Sequence, residues 1–419
     1  MALTDWNIVS RSMTGRLFST AVTVLSVGVA VALMTLLLSM KASGRAAFER
    51  GTGNAQMLIS REPSALTSVL NSMFYADAPG GPIPWADFEQ LRDSYPFAWA
   101  IPTQLGDSYR GLPVMATTTE FFTAFQPAAG ESFRVAEGRL FEKPFEIVLG
   151  AEAAERTNLT VGSVINLSHG APRQPGTHVH NEFDYEVVGI LGFTGSPHDR
   201  ALFTDLESSW TLHAHDRRVD QLGDGVKTTP ADIQESDKLI TGIYASLGPR
   251  TAALTQVLSE LRRDPDWTVA QPADTIRGLF SIVSSVDQIL VAMAAAVLVS
   301  SGVSIMLALY NSMEQRRRQV AVLRVLGASR WRVFNLVLTE SAAIGLMGGA
   351  AGVLGGIVFG TVVSGILEAR LGLVVRPSLP VDGYLAMVLG TIVLAMLAGV
   401  APAVLAYRTP VVRHLRPIG

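Results

Sequence analysis

The stretch EQRRRQVAVLRVLGASRWRVF, residues 314–334, carries six arginines and a single acidic residue. It lies between two segments, 289–310 and 341–367, that contain no charged side chain. An arginine at the centre of a bilayer costs about 2.5–3.5 kcal/mol on insertion scales, so six of them do not lie in lipid. The stretch therefore indicates an aqueous turn between two membrane-spanning helices.

The composition supports the same interpretation. Only 16% of the 419 residues are charged, against about 25% in soluble domains. Two more windows, 17–40 and 383–407, lack charge, and about 20 apolar residues suffice to cross a hydrocarbon core. A cleaved signal peptide is the alternative for 17–40. We favour a retained helix there, because the apolar region of a signal peptide is usually about 7–15 residues long.

The distribution of charge predicts the orientation. The block 41–288 holds 20 lysines and arginines against 31 acidic residues, a net charge of −11. The N-terminal segment, the 314–334 stretch and the C-terminal tail are basic, and short basic segments stay cytoplasmic. We therefore predict a membrane protein with four transmembrane α-helices and a large α+β extracytoplasmic domain inserted between helices 1 and 2.

The chain can be divided on this basis. At the N-terminus, Trp6, Val9, Met13 and Leu17 share one helical face, which predicts an interfacial helix. The predicted segments are an interfacial helix (1–16), a first span (17–40), an outer domain (41–283), a second span (284–310), a cytoplasmic loop (311–334), a third span (335–367), an outer loop (368–382), a fourth span (383–407) and a cytoplasmic tail (408–419).

The outer block reads as a mixed α+β domain. It contains no cysteine, so its stability must come from its core and not from disulfides. The pattern of apolar and polar residues predicts two helices, at 84–95 and 251–264. β-branched residues punctuated by glycine predict strands, namely 111–118, 145–150, 161–167 and 185–191.

The arginine-rich stretch has more structure than a simple topology anchor needs. A helical wheel separates an apolar arc from a basic one, namely Val320, Val322, Leu323 and Leu326 against Arg317, Arg318 and Arg324. Gly327 is placed as a helix-ending glycine, and Ser329 can cap a new helix. The pattern predicts a short helix, a break and a restart. Such a helix could lie on lipid headgroups or dock into a cytoplasmic partner.

The third span is rich in glycine. Gly348, Gly352, Gly356 and Gly360 recur every four residues, which predicts a flat face for close helix packing. The partner could be another helix of the same chain or a second copy of it. Glu340 precedes this region, and we expect a first-turn carboxylate favoured by the helix dipole; a buried switch charge is the alternative.

The order of features in the basic stretch resembles the FtsX-like permease domain of the MacB/LolC class of ABC transporters. The matching residues are Glu314, the arginines at 316–318 and LRVLGASRWR at 323–332, followed by the glycine-rich span. The resemblance covers about 284–419 and implies a coupling helix that docks on a separate ATPase subunit. The implied docking residues are Arg317, Arg318, Val320, Leu323, Arg324, Leu326, Gly327, Ala328 and Ser329.

A second resemblance covers the outer block. AEGRLF at 136–141, VLGAEAAERTNLTVGSVINL at 148–167 and YEVVGIL at 185–191 are similar to the MacB-type periplasmic core domain. The two resemblances together imply an inner-membrane permease that pairs as a homodimer through its first two spans. ATP and Mg²⁺ would bind in the partner ATPase, and a lipoprotein, a fusion protein or a metal-binding protein is a possible periplasmic partner.

Two His-x-His pairs in the outer block raise the question of zinc. His178 with His180, and His213 with His215, would each point to one face of a strand and could offer two imidazoles to Zn²⁺. The alternative is that they are surface histidines without a metal. No other cofactor is expected in this chain.

Several functions are excluded or left open. The chain has no P-loop, no hydrolase motif, and no basic surface that predicts nucleic-acid binding, so we expect a non-catalytic subunit. The favoured function is that of a permease that exports or extracts a substrate from the periplasm or outer leaflet. The alternatives are an FtsX-like signalling scaffold without transport and a zinc-linked transport system.

Overall fold

Long helices occupy the two ends of the chain and a mixed domain occupies its middle. The computed structural model describes residues 5–128, 130–169, 178–179, 182–223, 225–249, 251–325, 327–371 and 378–408. Within them the helices are α1 Asp5–Thr14, α2 Leu17–Thr52, α3 Ala65–Phe74, α4 Trp85–Ser94, α5 Glu120–Thr123, α6 Ala151–Thr157, α7 Leu206–Leu222, α8 Thr251–Leu261, α9 Pro272–Val325, α10 Arg330–Leu371 and α11 Val381–Arg408.

All described strands lie between α2 and α9 in the sequence. They are β1 Met57–Ser60, β2 Ile83–Pro84, β3 Trp99–Tyr109, β4 Leu112–Thr117, β5 Val135–Gly138, β6 Glu146–Leu149, β7 Val164–Ile165, β8 Ser168–His169, β9 His178–Val179, β10 Tyr185–Leu191, β11 Leu202–Asp205, β12 Leu239–Ile240, β13 Gly242–Ser246 and β14 Thr268–Ala270. The main sheet has the order β14-β1-β13-β3-β4-β11-β6-β10-β5, and β12 pairs separately with β2.

The chain divides into two compact units. Arg45–Ile282 form the bulk of one, here called the sheet unit, while Met1–Gly44 and Val283–Arg370 belong to the other, the helix unit, together with the residues of α11. The sheet unit covers nearly the same residues as the predicted outer domain at 41–283, whose place outside the membrane stays a prediction. Both α2 and α9 contribute residues to each unit.

The helix unit contains the four predicted spans. Each of α2, α9, α10 and α11 has a stretch long and apolar enough to cross a membrane. The expectation of a short separate helix in the loop at 311–334 is wrong, because α9 continues as one helix from Pro272 to Val325. After Pro272 no proline interrupts it, so its backbone ladder has no obligatory break.

In the sheet unit, most predicted elements are confirmed. The helices expected at 84–95 and 251–264 are α4 and α8, and the strands expected at 111–118, 145–150 and 185–191 are β4, β6 and β10. The strand expected at 161–167 is reduced to Val164–Ile165. Gly162 has a φ of +88°, and Ser163 donates a backbone hydrogen bond to Thr160, so this segment begins with a turn.

A buried histidine stabilises the core of the sheet unit. The ring of His198 is fully buried, and its Nδ1 lies 2.6 Å from the Tyr75 hydroxyl. Phe121 and Phe125 each place their ring centroids 5.4 Å from that of His198. Burial lowers the pKa of His198 to about 3, because a charged imidazole would lose its hydration in this apolar site.

An ion pair joins the segment after β5 to β6. Arg139 donates from Nη2 to Glu146 Oε1 at 2.5 Å and from Nη1 to Oε2 at 2.7 Å. The backbone N–H of Glu142 donates to the same carboxylate at 2.8 Å. Arg139 and the backbone N–H groups of Glu142 and Lys143 hold the pKa of Glu146 down at about 2. The ionised carboxylate is therefore part of the native structure.

These two groups predict acid lability of the sheet unit. As pH falls below about 6.5, the unfolded chain protonates His198 while the folded one does not, so stability is lost down to about pH 3. Glu146 stabilises above its unfolded pKa of about 4.3, and this contribution is lost as pH falls towards 2. The free energy of unfolding, measured by urea unfolding with tryptophan fluorescence, should fall less steeply between pH 7 and 5 in His198→Gln than in the wild type. An unchanged slope would contradict the role of His198.

Candidate functional site

The turn between α9 and α10 is closed by backbone hydrogen bonds. Gly327 has a φ of +96°, a conformation that glycine adopts without steric cost. The N–H of Ala328 donates to the carbonyl of Leu323 at 3.0 Å, and that of Gly327 donates to Arg324 at 3.2 Å. These two bonds form a Schellman motif. The predicted helix-ending role of Gly327 is confirmed.

The restart of the helix also follows the sequence. Ser329 precedes α10, and its Oγ accepts a hydrogen bond from the N–H of Arg332 at 3.1 Å. This is the geometry of an N-cap. Because both helix ends are closed by their own residues, the turn has a defined shape before any partner binds. We call residues 322–325 and 327–329 the docking turn, after the role predicted for them.

The predicted division into an apolar arc and a basic arc is partly wrong. Val320 is 7% exposed and packs with Met313, Val333 and Ala403 of the helix unit. Val322, assigned to the same arc, lies on the opposite side and is 43% exposed. The inward direction at this point is therefore set by Val320, which packs against α10 and α11, and by the buried Ala321.

The remaining predicted docking residues lie around this end of α9. Leu323 and Arg324 are half-buried, and Arg317 and Arg318 lie within α9. Leu326 lies outside the described residues. Among the described residues at this end of α9 and the start of α10, the exposed apolar side chains are Val322, Val325 at 62% and Trp331 at 64%. Sequence reasoning missed Val325 and Trp331, although their apolar character beside arginines was a usable signal.

Helix α1 is fastened beside the docking turn. Asp5 Oδ1 accepts hydrogen bonds from Arg332 Nε at 2.9 Å and Nη2 at 2.8 Å. Ser12 Oγ donates to Glu340 Oε1 at 2.8 Å, and Arg16 Nη2 donates to the carbonyl of Ser312 at 3.0 Å. The two α1–α10 contacts are similarly spaced on both helices, so α1 runs alongside the first turns of α10 in the same direction.

These contacts change the interpretation of α1 and of Glu340. The predicted helix exists, but Val9 of its apolar face is 2% exposed and is buried against protein. Glu340 is not a first-turn carboxylate, because α10 begins at Arg330, almost three turns earlier. The dipole of α10 acts mainly on its first turn, so the hydrogen bond from Ser12 is the better explanation of this carboxylate.

The glycine row of α10 packs against α2 of the same chain. A Cβ added at Gly348, Gly352 or Gly356 would lie 2.5–2.7 Å from α2, against Val27 Cγ1, Val31 Cβ and Thr35 Cβ respectively. Real side chains do not tolerate such distances, so these positions require glycine. Gly360 is also buried. Of the two predicted partners, the structure shows a helix of the same chain.

A second glycine face of α10 was missed. A Cβ at Gly345 would lie 2.8 Å from Ala395 Cβ, and one at Gly349 would lie 3.3 Å from Thr391 Cβ. Both contacts are with α11. The third span therefore packs closely on two neighbours. The four-residue period drew attention to one face, while Gly345 and Gly349 form a second row with the same spacing.

The histidine pairs do not form a recognisable metal site in the described part of the chain. His213 and His215 lie on α7, not on a strand, so residues two apart point in nearly opposite directions. Nδ1 of His213 lies 3.1 Å from the Asp237 carbonyl oxygen, and that of His215 lies 3.1 Å from Thr228 Oγ1. His178 is in β9, and His180 lies outside the described residues. Among the described residues no three His, Cys, Asp or Glu side chains are grouped to hold a metal, so zinc stays a prediction.

The arrangement defines a class of protein. The chain has four helices of membrane-spanning length, a turn with exposed apolar side chains, and a separate α+β unit. These features are those of a multi-pass membrane protein with an additional α+β domain. Residues 20–263 match the family model for the MacB-like periplasmic core domain, and residues 291–411 match that for the FtsX-like permease C-terminal domain. The first match covers more than half of the chain. The chain belongs to the ABC transporter permeases that combine these two domains.

Individual relatives are distant. An uncharacterized ABC transporter permease of Methanocaldococcus jannaschii is 21% identical over 217 residues, covering 52% of this chain and 50% of that protein. An uncharacterized ABC transporter permease protein of Mycobacterium tuberculosis is 26% identical over 323 residues, covering 73% of this chain and 33% of that protein. The macrolide export ATP-binding/permease protein MacB of Syntrophobacter fumaroxidans is 28% identical over 134 residues, covering 30% of this chain and 19% of that protein. The chain thus spans half or less of the length of each of these relatives.

Proposed function

We propose that this chain is the membrane subunit of an ATP-driven transporter of the MacB/LolC type, located in the inner membrane with its sheet unit in the periplasm. The docking turn binds a cytoplasmic ATPase subunit. Closure of two ATPase subunits on ATP then moves the periplasmic units of a permease dimer. This movement exports or extracts a substrate from the periplasm or the outer leaflet.

The observation that carries the proposal is the construction of the docking turn. Its backbone is closed by a Schellman motif and a serine cap. It nevertheless exposes Val322 and Val325. Exposed apolar side chains on a rigid element favour docking into a partner groove, because little conformational entropy is lost on binding.

The length of α9 supports a mechanical coupling. Its 54 residues correspond to about 81 Å at 1.5 Å per residue. The same helix contributes residues to the sheet unit at its start and ends at the docking turn. A movement at the docking turn therefore has a direct covalent path to the sheet unit.

Co-purification tests the proposal. The full chain is expressed with P-loop ATPases from its own genome, beginning with any encoded beside it, and is purified from membranes. We expect one ATPase to be retained and its ATP hydrolysis in proteoliposomes to be stimulated by a transported compound. If an ATPase is retained but hydrolysis responds only to a periplasmic protein, signalling is favoured over transport. If none is retained, the proposal is wrong.

A further inference from the structure

Two arginines at one end of the helix unit have no acidic partner among the described residues. Arg330 is the first residue of α10, and Arg408 is the last residue of α11. Both are exposed. Arg332, two residues further along α10, is different because it pairs with Asp5 at 2.8 Å. The nearby carboxylate of Asp5 is thus engaged by Arg332, and Arg330 is left facing solvent.

Aromatic rings hold Arg330 in place. Its guanidinium carbon lies 5.8 Å from the ring centroid of Tyr407 on α11. The Trp331 ring lies 6.0 Å from the Tyr407 ring and 5.5 Å from that of Phe334. A guanidinium stacked over a ring uses its face in that contact, and its N–H edges remain available. Such an edge matches the two oxygens of a phosphate.

The position of these residues along the span identifies the ligand. The charge-free run of α11 ends at Tyr407, and Arg408 follows directly. Tryptophan and tyrosine are enriched at this level because their rings are amphipathic. Trp331 is 64% exposed and contacts Tyr407, so it lies at the same depth. We expect lipid headgroups at this depth, because charged and aromatic side chains at the end of an apolar span mark the interface.

We propose that Arg330, Trp331 and Tyr407 form a binding site for the phosphate of an anionic phospholipid, here called the headgroup site. Arg330 donates two N–H groups to the phosphate, Tyr407 orients the guanidinium, and Trp331 covers the glycerol region. Arg408 adds positive charge beside the site. The proposal rests on α10 and α11 spanning the membrane and does not depend on ATPase docking.

Native mass spectrometry of the full chain in detergent tests the headgroup site. Phosphatidylglycerol and phosphatidylcholine are titrated separately, without any ATPase present. A charge-assisted hydrogen bond contributes on the order of 1.5–3 kcal/mol. We therefore expect Arg330→Gln to weaken the binding of the first phosphatidylglycerol by roughly tenfold or more. The loss should be smaller for phosphatidylcholine, because its choline cation already compensates the charge of the phosphate. Tyr407→Leu should weaken it by a smaller factor, because the arginine remains but is no longer oriented.

Arg332→Gln is the matched control, because it removes an arginine of the same helix that is already paired. It should leave phosphatidylglycerol binding close to that of the wild type. Equal losses of phosphatidylglycerol affinity in Arg330→Gln and Arg332→Gln would show that overall surface charge causes the effect, and would overturn the site. Normal lipid binding by Arg330→Gln, combined with failure to retain an ATPase, would assign this surface to docking instead.

Discussion

Gly352→Val is expected to destabilise the helix unit severely. A Cβ at this position would lie 2.5 Å from Val31 Cβ and 2.7 Å from the carbonyl oxygen of Gly28 on α2. The clash involves backbone, so rotation of a side chain cannot relieve it, and α10 must move away from α2. Overpacking of this kind costs about 1–3 kcal/mol and sometimes more. We expect a lower melting temperature in detergent and a reduced yield of monodisperse protein.

Gly365→Val is the control for this substitution. It introduces the same side chain on the same helix, but nothing lies within 4 Å of the added Cβ. Its melting temperature should stay close to that of the wild type. If both variants melt alike, then the loss of glycine in α10 matters through helix propensity or insertion. The close packing of α2 on α10 would then not be the cause.

Val325→Asp is expected to abolish retention of the ATPase while the protein remains folded and inserted. Val325 is 62% exposed, so an aspartate there costs the free chain little. At a docked interface, however, the carboxylate would be desolvated beside apolar side chains. Loss of a central interface residue costs about 2 kcal/mol or more, which corresponds to about thirtyfold weaker binding. Leu323→Asp and Arg324→Glu should act in the same direction.

Leu222→Asp provides the control for Val325→Asp. Leu222 is 68% exposed at the end of α7 in the sheet unit, and its replacement should leave ATPase retention unchanged. Pull-down from solubilised membranes, with the amount of inserted permease measured in parallel, separates docking from folding. Normal ATPase retention by Val325→Asp, Leu323→Asp and Arg324→Glu alike would show that the docking turn is not the docking element.

The site illustrates where prediction from the sequence stops. The closure of the turn was predictable, because Gly327 and Ser329 act on the backbone within a few residues of themselves. The exposed side of α9 was not predictable, because a moderately amphipathic sequence does not specify which residues of the helix face its neighbours. Val320 and Val322 differ by two positions, and only the packing of Val320 against Val333 and Ala403 separates them.

The prediction that His213 and His215 lie on a strand was wrong for a related reason. LHAHD contains β-compatible spacing, but it lies within a helix that begins at Leu206, after Asp205 accepts a hydrogen bond from the N–H of Ser208. The capping signal precedes the pair by several residues and was not weighed against the His-x-His spacing. A period of two has meaning only on a strand, so the predicted face for zinc does not exist at His213 and His215.

The sequence by itself determined the four apolar helices of spanning length, the α+β unit and the basic turn. The cost of placing charge in lipid and the conformational preferences of glycine and serine depend on local chemistry alone. Only the tertiary structure decided that Gly352 packs against α2 and that Ser12 donates to Glu340. It also decided that Arg332 pairs with a carboxylate, while Arg330 pairs with none among the described residues. These contacts join residues more than 300 positions apart, and which of them form depends on how the helices pack.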